Sequence, residues 1–158
     1  MLDGIIIRGI KQNIDERGIF AEIFRKDWQD TYVNDEVLQT NLSISYPGII
    51  RAWHRHQRGQ VDYFLLLKGT IKLCAYDETA KEINEIVCSE KNLQVVRIPG
   101  YYWHGFKNIG SKDAMLIYFV NKLYDSINPD EERRAWNDAK IIDSRTGAPY
   151  DWNKPPHK

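Results

Sequence analysis

The middle of this 158-residue chain is a succession of short runs rich in β-branched and aromatic residues, each closed by turn residues. Pro47-Gly48, Lys68-Gly69 and Pro99-Gly100 are such separators, and they supply the backbone conformations that turns require. They help to delimit ten predicted strands, at 5–10, 19–24, 37–46, 49–56, 61–67, 70–76, 83–88, 94–98, 103–108 and 114–121. Many short strands at this spacing favour an all-β sandwich or barrel over a βαβ fold.

No long stretch of the sequence has a helical period. Helix is predicted only at 25–30 and, near the C-terminus, at 129–136, where Pro129 can occupy a first helical position. The stretch 146–158 is rich in Pro and polar residues, which predicts an irregular tail that lies over the barrel or frays. The length suits one domain, so we predict a single domain over residues 1–158.

Composition excludes several classes of function. Lys and Arg number 22, as do Asp and Glu, and the formal net charge is therefore zero, without the basic excess of a nucleic-acid-binding protein. Cys74 and Cys88 lack a CxxC spacing and lie in apolar-alternating stretches, where buried free thiols are ordinary and a reducing compartment fits. No signal peptide and no membrane-spanning run is evident. We predict a cytoplasmic protein that binds neither nucleic acid nor membrane.

The predicted strand at 37–46 has two unlike faces. Its even positions include the large residues Leu38, Leu42, Ile44 and Tyr46, and its odd positions include Gln39, Asn41, Ser43 and Ser45. The pattern predicts one packed face and one face of hydrogen-bonding groups. The polar face either meets solvent or lines the interior of a barrel as a wall for a ligand.

Three of the four histidines fall in two short segments. His54 and His56 are two residues apart and therefore point to the same face of a strand. His104 and Asp62 lie on other predicted strands and could converge with them. Aromatic residues precede these histidines, Trp53 directly before His54 and residues 101–103 directly before His104. Their flat faces suit stacking on a base or sugar, although core packing or a dimer interface explains them equally well.

These spacings resemble the two signatures of the cupin superfamily. The first is matched by Gly48-x5-His54-x-His56 followed by Asp62 and Gly69, and the second by Pro99, His104 and Asn108 with its glycine shifted by one place. In metal-binding cupins the four matching positions hold three His and a Glu, which Asp62 replaces here. The resemblance implies a jelly-roll barrel (a double-stranded β-helix) whose site opens inside the barrel.

A narrower resemblance covers nearly the whole chain and rests on six motifs in order. They are D-x-R-G-x-F-x-E at 15–22, Q-x-N-x-S at 39–43, Arg51-Ala52-Trp53-His54 in place of R-G-L-H, His-Gly-Phe at 104–106, a tyrosine pair at 118 and 124, and an echo of N-P-x-x-E-R at 128–133. The set resembles the dTDP-4-dehydrorhamnose 3,5-epimerase family. Members invert the carbons that flank the C4 ketone of a nucleotide-linked 4-keto-6-deoxyhexose. The resemblance implies an epimerase of the isomerase class that works as a homodimer on a nucleotide-sugar in deoxysugar biosynthesis and requires no cofactor.

The resemblance also assigns roles. His54 is the base, as suits a side chain with an ordinary pKa of about 6.5, and Tyr124 is the acid on the opposite face of the sugar. Arg17 and Arg51 contact the diphosphate and the sugar, where an arginine fork fits phosphate. The other residues implied to bind substrate are Phe20, Glu22, Gln39, Asn41 and His104. Arg51 is three residues from His54, so either the strand has a bulge or the Arg51 side chain makes a long reach around the edge to bring both to one face.

Two departures from the family pattern point towards a metal. His56 stands where the family has Gln, and Asp62 stands where it has the Lys that stabilises the enolate. Together with His54 and His104 they rebuild the ligand set of a metal cupin, suited to a divalent transition ion such as Fe, Ni, Mn or Zn. The alternative is a metal-free pocket in which His56 and Asp62 hydrogen-bond each other. A His54 that binds metal cannot also be a free base, so the two mechanisms compete.

Two questions stay open at the level of sequence. The aspartate that orients the family's base has no identifiable counterpart, and Asp62, Asp143 and Asp151 are equal candidates. Two functional alternatives to the epimerase also remain. One is a metal-dependent cupin oxygenase or isomerase acting on a small organic substrate, and the other is a non-catalytic cupin that binds a sugar nucleotide.

Overall fold

The computed structural model describes residues 1–154, and nearly all of its regular structure is antiparallel strand. The strands are β1 (Ile6–Gly9), β2 (Gln12–Asp15), β3 (Gly18–Ala21), β4 (Gln39–Ser45), β5 (Ile50–Arg55), β6 (Val61–Lys68), β7 (Thr70–Asp77), β8 (Glu82–Ser89), β9 (Gln94–Pro99), β10 (Trp103–Asn108), β11 (Ala114–Val120) and β12 (Glu132–Arg133). A four-residue helix, α1 (Gln29–Tyr32), lies between β3 and β4.

Two five-stranded sheets form the barrel. The first has the strand order β1-β9-β6-β11-β4 and the second the order β12-β5-β10-β7-β8, while β2 and β3 form a separate hairpin. Strands that are distant in sequence are neighbours in both sheets, as in β1-β9 and β5-β10. The predicted all-β jelly roll is confirmed.

Apolar side chains fill one part of the space between the two sheets. Because successive side chains of a strand point to opposite faces, Phe64 and Leu66 of β6 join this inner cluster, whereas Tyr63 and Leu65 join a second cluster with Tyr32 of α1. The rest of the space between the sheets remains open as a cavity lined by both polar and apolar side chains.

The C-terminal segment covers the outer face of the second sheet. Tyr150 and Trp152 are buried there against Trp53 of β5, and Cys74 of β7 belongs to the same cluster. The predicted irregular tail at 146–158 forms no named strand or helix through residue 154, and it lies against the sheet rather than fraying. Its last four residues fall outside the described part of the chain.

The predicted helix at 129–136 is wrong. The structure places β12 there, paired with β5, and within residues 1–154 no helix follows Tyr32. The Trp53 N–H donates to the Arg134 carbonyl at 3.1 Å and the Arg134 N–H donates to the Trp53 carbonyl at 3.0 Å. These long-range bonds satisfy the backbone better than one isolated helical turn would.

The helix α1, the one helix among residues 1–154, falls far short of the length and apolar character that a membrane-spanning helix needs.

Smaller differences occur near the N-terminus. The helix predicted at 25–30 begins later, as α1, and the strand predicted at 19–24 ends earlier, as β3. Sequence analysis did not predict β2, which pairs with β3.

The edge strand β4 presents its faces in an unusual way. Gln39, Asn41 and Ser43 line the cavity, while Leu42 and Ile44 are 63% and 45% exposed on the outer face. Of the two alternatives, the polar face therefore lines the interior of the barrel, and its contact with a ligand stays a prediction. The expectation that the apolar face packs is not met within this chain.

Candidate active site

The open part of the barrel is a cavity of about 920 Å³ between the two sheets. It brings together eight of the residues proposed from sequence: Gln39, Asn41, Arg51, His54, His56, Asp62, His104 and Tyr124. A volume of this size suits a small-molecule ligand.

A bulge in β5 puts Arg51 and His54 on the same wall. Opposite β10, His54 pairs with His104 and Ala52 pairs with Gly105, so Trp53 is the extra residue. Its side chain is fully buried on the outer face. Of the two ways to bring Arg51 to this wall, the bulge is confirmed.

A histidine wall, made of His54, His56, Asp62 and His104, comes from three strands or their ends. The Nδ1 atom of His104 lies 2.9 Å from the Tyr102 carbonyl oxygen, and the Nδ1 atom of His56 lies 2.7 Å from that of Asp130. A carbonyl only accepts hydrogen bonds, so Nδ1 carries the proton in both rings and Nε2 keeps its lone pair.

Both of these Nε2 atoms face Asp62. The distance to the Asp62 Oδ2 atom is 3.4 Å from His104 and 3.7 Å from His56. Gln60 donates to the other oxygen, Oδ1, at 3.0 Å. Oδ2 itself is buried and has no hydrogen-bond partner among residues 1–154. Gln60 Nε2 also lies at hydrogen-bond distance, 3.1 Å, from His56 Nε2. The wall therefore contains an unsatisfied carboxylate oxygen beside the Nε2 atoms of His104 and His56, an arrangement with capacity for a cation if Gln60 turns away from His56.

Burial controls the charge of the histidine wall. It lowers the pKa of His54 to about 4, with a further contribution from the neighbouring His104. Burial likewise lowers the pKa of His104 to about 4, helped by His56, and it raises the pKa of Asp62 to about 6. His54 is thus neutral at pH 7, the state a general base needs.

Three of the four predicted metal ligands form a compact group. Suitable atoms of His56, Asp62 and His104 all lie within 4.8 Å of one another. His54 is not part of that group, and its ring centroid lies 6.3 Å from that of His104. The predicted four-residue ligand set therefore becomes a set of three. Backbone carbonyls that fix the free nitrogen of a ligating histidine are typical of metal sites, so the three side chains fit a divalent ion.

Glu131, which no sequence pattern indicated as a site residue, faces His54 from residues 128–134, here called the strap. The Glu131 Oε1 atom lies 3.8 Å from His54 Nε2. The strap runs along the exposed side of β5, where Arg133 pairs with His54 in the β12–β5 register. Its position could not be foreseen because this stretch reads as a helix in the sequence.

Tyr124 also lines the cavity, on residues 121–127, here called the tyrosine loop. The residue is 62% exposed. The Tyr124 N–H donates to Gln39 Oε1 at 2.9 Å, and Gln39 Nε2 donates to Asn41 Oδ1 at 2.8 Å. Gln39 therefore fixes the backbone of the tyrosine loop.

Three residues predicted to bind substrate lie outside the cavity. Arg17 and Phe20 are on the exposed β2–β3 hairpin, and Glu22 follows it. Arg17 pairs with Asp15 and Glu22 pairs with Arg25. Within this chain the three residues do not reach the cavity, because the hairpin projects from the barrel rather than packing into it, and their role in binding substrate stays a prediction.

The aspartates proposed to orient the base also have other partners. Asp143 pairs with Arg145 and Lys154 in the segment that covers the second sheet, and Asp151 accepts from the Asn153 backbone N–H. Asp62 faces His56 and His104 instead. The carboxylate that lies within 4 Å of a His54 ring nitrogen in residues 1–154 is that of Glu131.

The sequence pattern of the polysaccharide biosynthesis C-terminal domain family matches residues 13–132. The chain belongs to this family. It is 44% identical over 132 residues to the probable low-salt glycan biosynthesis epimerase Agl13 of Haloferax volcanii, covering 80% of this chain and 83% of the relative.

Solved structures give the same kinship. The chain superposes with a TM-score of 0.79 and 26% identity on dTDP-6-deoxy-D-glucose-3,5-epimerase RmlC of Legionella pneumophila in complex with dTDP-4-keto-L-rhamnose, covering 89% of this chain and 78% of that one. It superposes equally well, at 25% identity, on NovW, a 4-keto-6-deoxy sugar epimerase of Streptomyces spheroides, covering 94% and 78%. The predicted kinship with the dTDP-4-dehydrorhamnose 3,5-epimerases and the predicted epimerase class are confirmed.

Proposed function

We propose that the protein epimerises a nucleotide-linked 4-keto-6-deoxyhexose at one or both carbons beside the C4 ketone. The observation that carries the proposal is a neutral histidine, His54, on the wall of a 920 Å³ cavity that also holds Tyr124 at its margin. The epimerase relatives support the choice of substrate class.

The reaction follows from the acidity of the proton beside the ketone. His54 takes this proton, and the negative charge spreads into the carbonyl as an enolate. Tyr124 then delivers a proton to the other face of the same carbon, which inverts it. A positioned acid or base of this kind contributes a factor of about 10² to 10⁴ in rate.

Arg51 supports the binding of the anionic substrate. It lies in the cavity lining and donates through Nε to the Ser45 hydroxyl at 3.0 Å. This bond fixes one nitrogen of the guanidinium and leaves the terminal nitrogens for phosphate oxygens, for which an arginine fork is well shaped.

A second candidate is a metal-assisted form of the same epimerase. His56, Asp62 and His104 would hold the ion, and the unsatisfied Asp62 oxygen favours this candidate. A bound divalent ion would supply the positive charge for the enolate oxygen that the Lys-to-Asp departure removes. Because His54 lies outside the group of three, it can act as base whether or not an ion is bound.

We also propose a homodimer in which the outer face of β4 is the interface. That face exposes Leu38, Leu42, Ile44 and Tyr46, and the β2–β3 hairpin exposes Ile14, Ile19 and Phe20. An apolar edge strand is a template for association. A second copy would cover it and could receive Arg17, Phe20 and Glu22 into its cavity. Sedimentation should give a dimer mass, and Leu42→Lys should shift it towards the monomer.

We retain a cytoplasmic location as a proposal. It is supported by Cys74 and Cys88, which are buried and free, as expected of a protein from a reducing compartment.

Proton exchange in heavy water tests the function. Incubation with dTDP-4-keto-6-deoxyglucose and related 4-keto sugars should introduce deuterium at C3, C5 or both, as seen by NMR. Absence of exchange with every such sugar would remove the proposal.

Elemental analysis of the purified protein, with His56→Ala as the comparison, separates the metal-free epimerase from the metal-assisted epimerase. Only the metal-assisted form predicts a stoichiometric ion that the variant loses.

A further inference from the structure

His54 has one close polar partner in residues 1–154, and it is not one of the aspartates considered from the sequence. The Glu131 Oε1 atom lies 3.8 Å from His54 Nε2, and within the described part of the chain no hydrogen bond engages the other ring nitrogen, Nδ1. With its Nε2 atom facing Glu131, His54 would take the substrate proton on that second nitrogen in the proposed reaction. A base that is to become an imidazolium gains from a carboxylate on its far side.

The Glu131 carboxylate is held from several directions. The strap pairs with β5, and reciprocal backbone hydrogen bonds join Trp53 and Arg134. The Glu131 Oε2 atom accepts from Arg133 at 2.5 Å and 2.9 Å. The side chain is only 20% exposed. Since Oε2 is occupied, Oε1 is the oxygen left to face His54.

The next residue of the strap points elsewhere. Glu132 accepts two hydrogen bonds from Arg55 at 2.5 Å and 3.0 Å, and its side chain is 46% exposed. It is absent from the cavity lining, whereas Glu131 is part of it. The two adjacent glutamates therefore carry the same charge but differ in position: Glu131 lines the cavity, and Glu132 contacts Arg55 outside it.

We propose that Glu131 is a positioning residue for the epimerisation, acting through His54. Its carboxylate orients the imidazole and stabilises the imidazolium that forms when His54 takes the proton beside the ketone. This inference rests on the proposed function and adds to it the partner of the base. Arg133 in turn fixes the carboxylate, so the strap as a whole sets the geometry of the base.

The test compares Glu131→Gln and Glu131→Asp with the matched control Glu132→Gln. For each variant, kcat and KM for inversion are measured together with the rate of ring-proton exchange in heavy water. We expect Glu131→Gln to lower exchange and kcat by the same factor, about 10- to 100-fold, with KM nearly unchanged. Glu131→Asp should recover part of the loss because it restores the charge, and Glu132→Gln should behave like the parent.

Three outcomes would overturn the inference. Full exchange in Glu131→Gln would mean that His54 needs no carboxylate. A rise in KM with kcat unchanged would make Glu131 a substrate-binding group instead. An equal loss in Glu131→Gln and Glu132→Gln, with lowered melting temperatures, would reduce the effect to loosening of the strap. Should Glu131→Gln fail to fold, the inference is decided by Glu131→Asp, in which an unchanged KM with a lowered kcat supports it and parental values of both refute it. If the parent itself exchanges no proton, the proposed function fails, which is a separate result.

Discussion

The two sides of the cavity differ in how their side chains are held. The histidine wall stands on β5, β6 and β10 and on His56 directly after β5, and its members are buried or half-buried. Tyr124 stands on the tyrosine loop, is largely exposed, and is connected to the barrel through the Gln39 amide. Because packed strands open rarely and exposed loops open easily, the base side is preformed, whereas the acid side depends on a few local contacts.

This difference matters for the chemistry. Removing a proton requires a base whose charge and position are set before the substrate arrives, which the buried wall provides. Returning the proton to the opposite face requires a group that can approach a bound sugar, and a loop can do so as it closes. Exchange and inversion should therefore respond separately to changes on the two sides.

The largest effect is expected from His54→Asn. Loss of the base should reduce both ring-proton exchange and inversion by about 10² to 10⁴, measured by NMR in heavy water. A melting temperature close to that of the parent would show that the wall still folds. If His54→Asn retained ring-proton exchange, another residue would be the base, and the buried histidine wall would not be the side that removes the proton.

Tyr124→Phe should separate the two activities. We expect inversion to fall by about 10² while ring-proton exchange continues, since His54 still removes the proton and returns it to the original face. Tyr101→Phe is a matched control, because Tyr101 is also exposed but lies outside the cavity lining. An equal fall of exchange and inversion would mean that Tyr124 does more than donate a proton.

Gly105→Ala should disturb the histidine wall through its backbone. An added Cβ at position 105 would lie 2.3 Å from the Ala52 Cβ and 2.6 Å from the Arg51 carbonyl oxygen, where the bulge brings β5 close to β10. We expect a loss of about 1 to 3 kcal/mol in the free energy of unfolding, measured by urea denaturation. Gly9→Ala has no neighbour within 4 Å at its added Cβ and should stay close to the parent.

Gln39→Leu should give the smallest effect, confined to the acid side. It removes the acceptor for the Tyr124 N–H, a bond worth about 1 kcal/mol, so inversion should fall by about fivefold with exchange unchanged. In a Tyr124→Phe background the same substitution should add little, because the two changes act on one group. Additive losses in the double variant would instead give Gln39 a direct role with the substrate, as the family resemblance implies.

The site residues on strands were foreseeable from sequence, and so was Tyr124 of the tyrosine loop through the order of the motifs, whereas Glu131 of the strap was not. Strand periodicity puts His54 and His56 on one face, and the motif spacing brings Asp62 and His104 to the same wall, as the structure has it. Glu131 was not predicted because residues 129–136 have a sequence typical of a helix. Pairing of β12 with β5 is what brings Glu131 next to His54. The roles assigned to these residues remain predictions for the experiments above.

The sequence by itself determined the all-β fold, the kinship and the convergence of the histidines, because turn residues and period-two patterns act locally and the motif order spans the chain. Tertiary structure decided which face of β4 looks inward, that Arg17, Phe20 and Glu22 lie outside the cavity, and which carboxylate faces His54. These outcomes depend on which strands become neighbours. Burial and pairing between distant segments set that choice, and no local pattern records it.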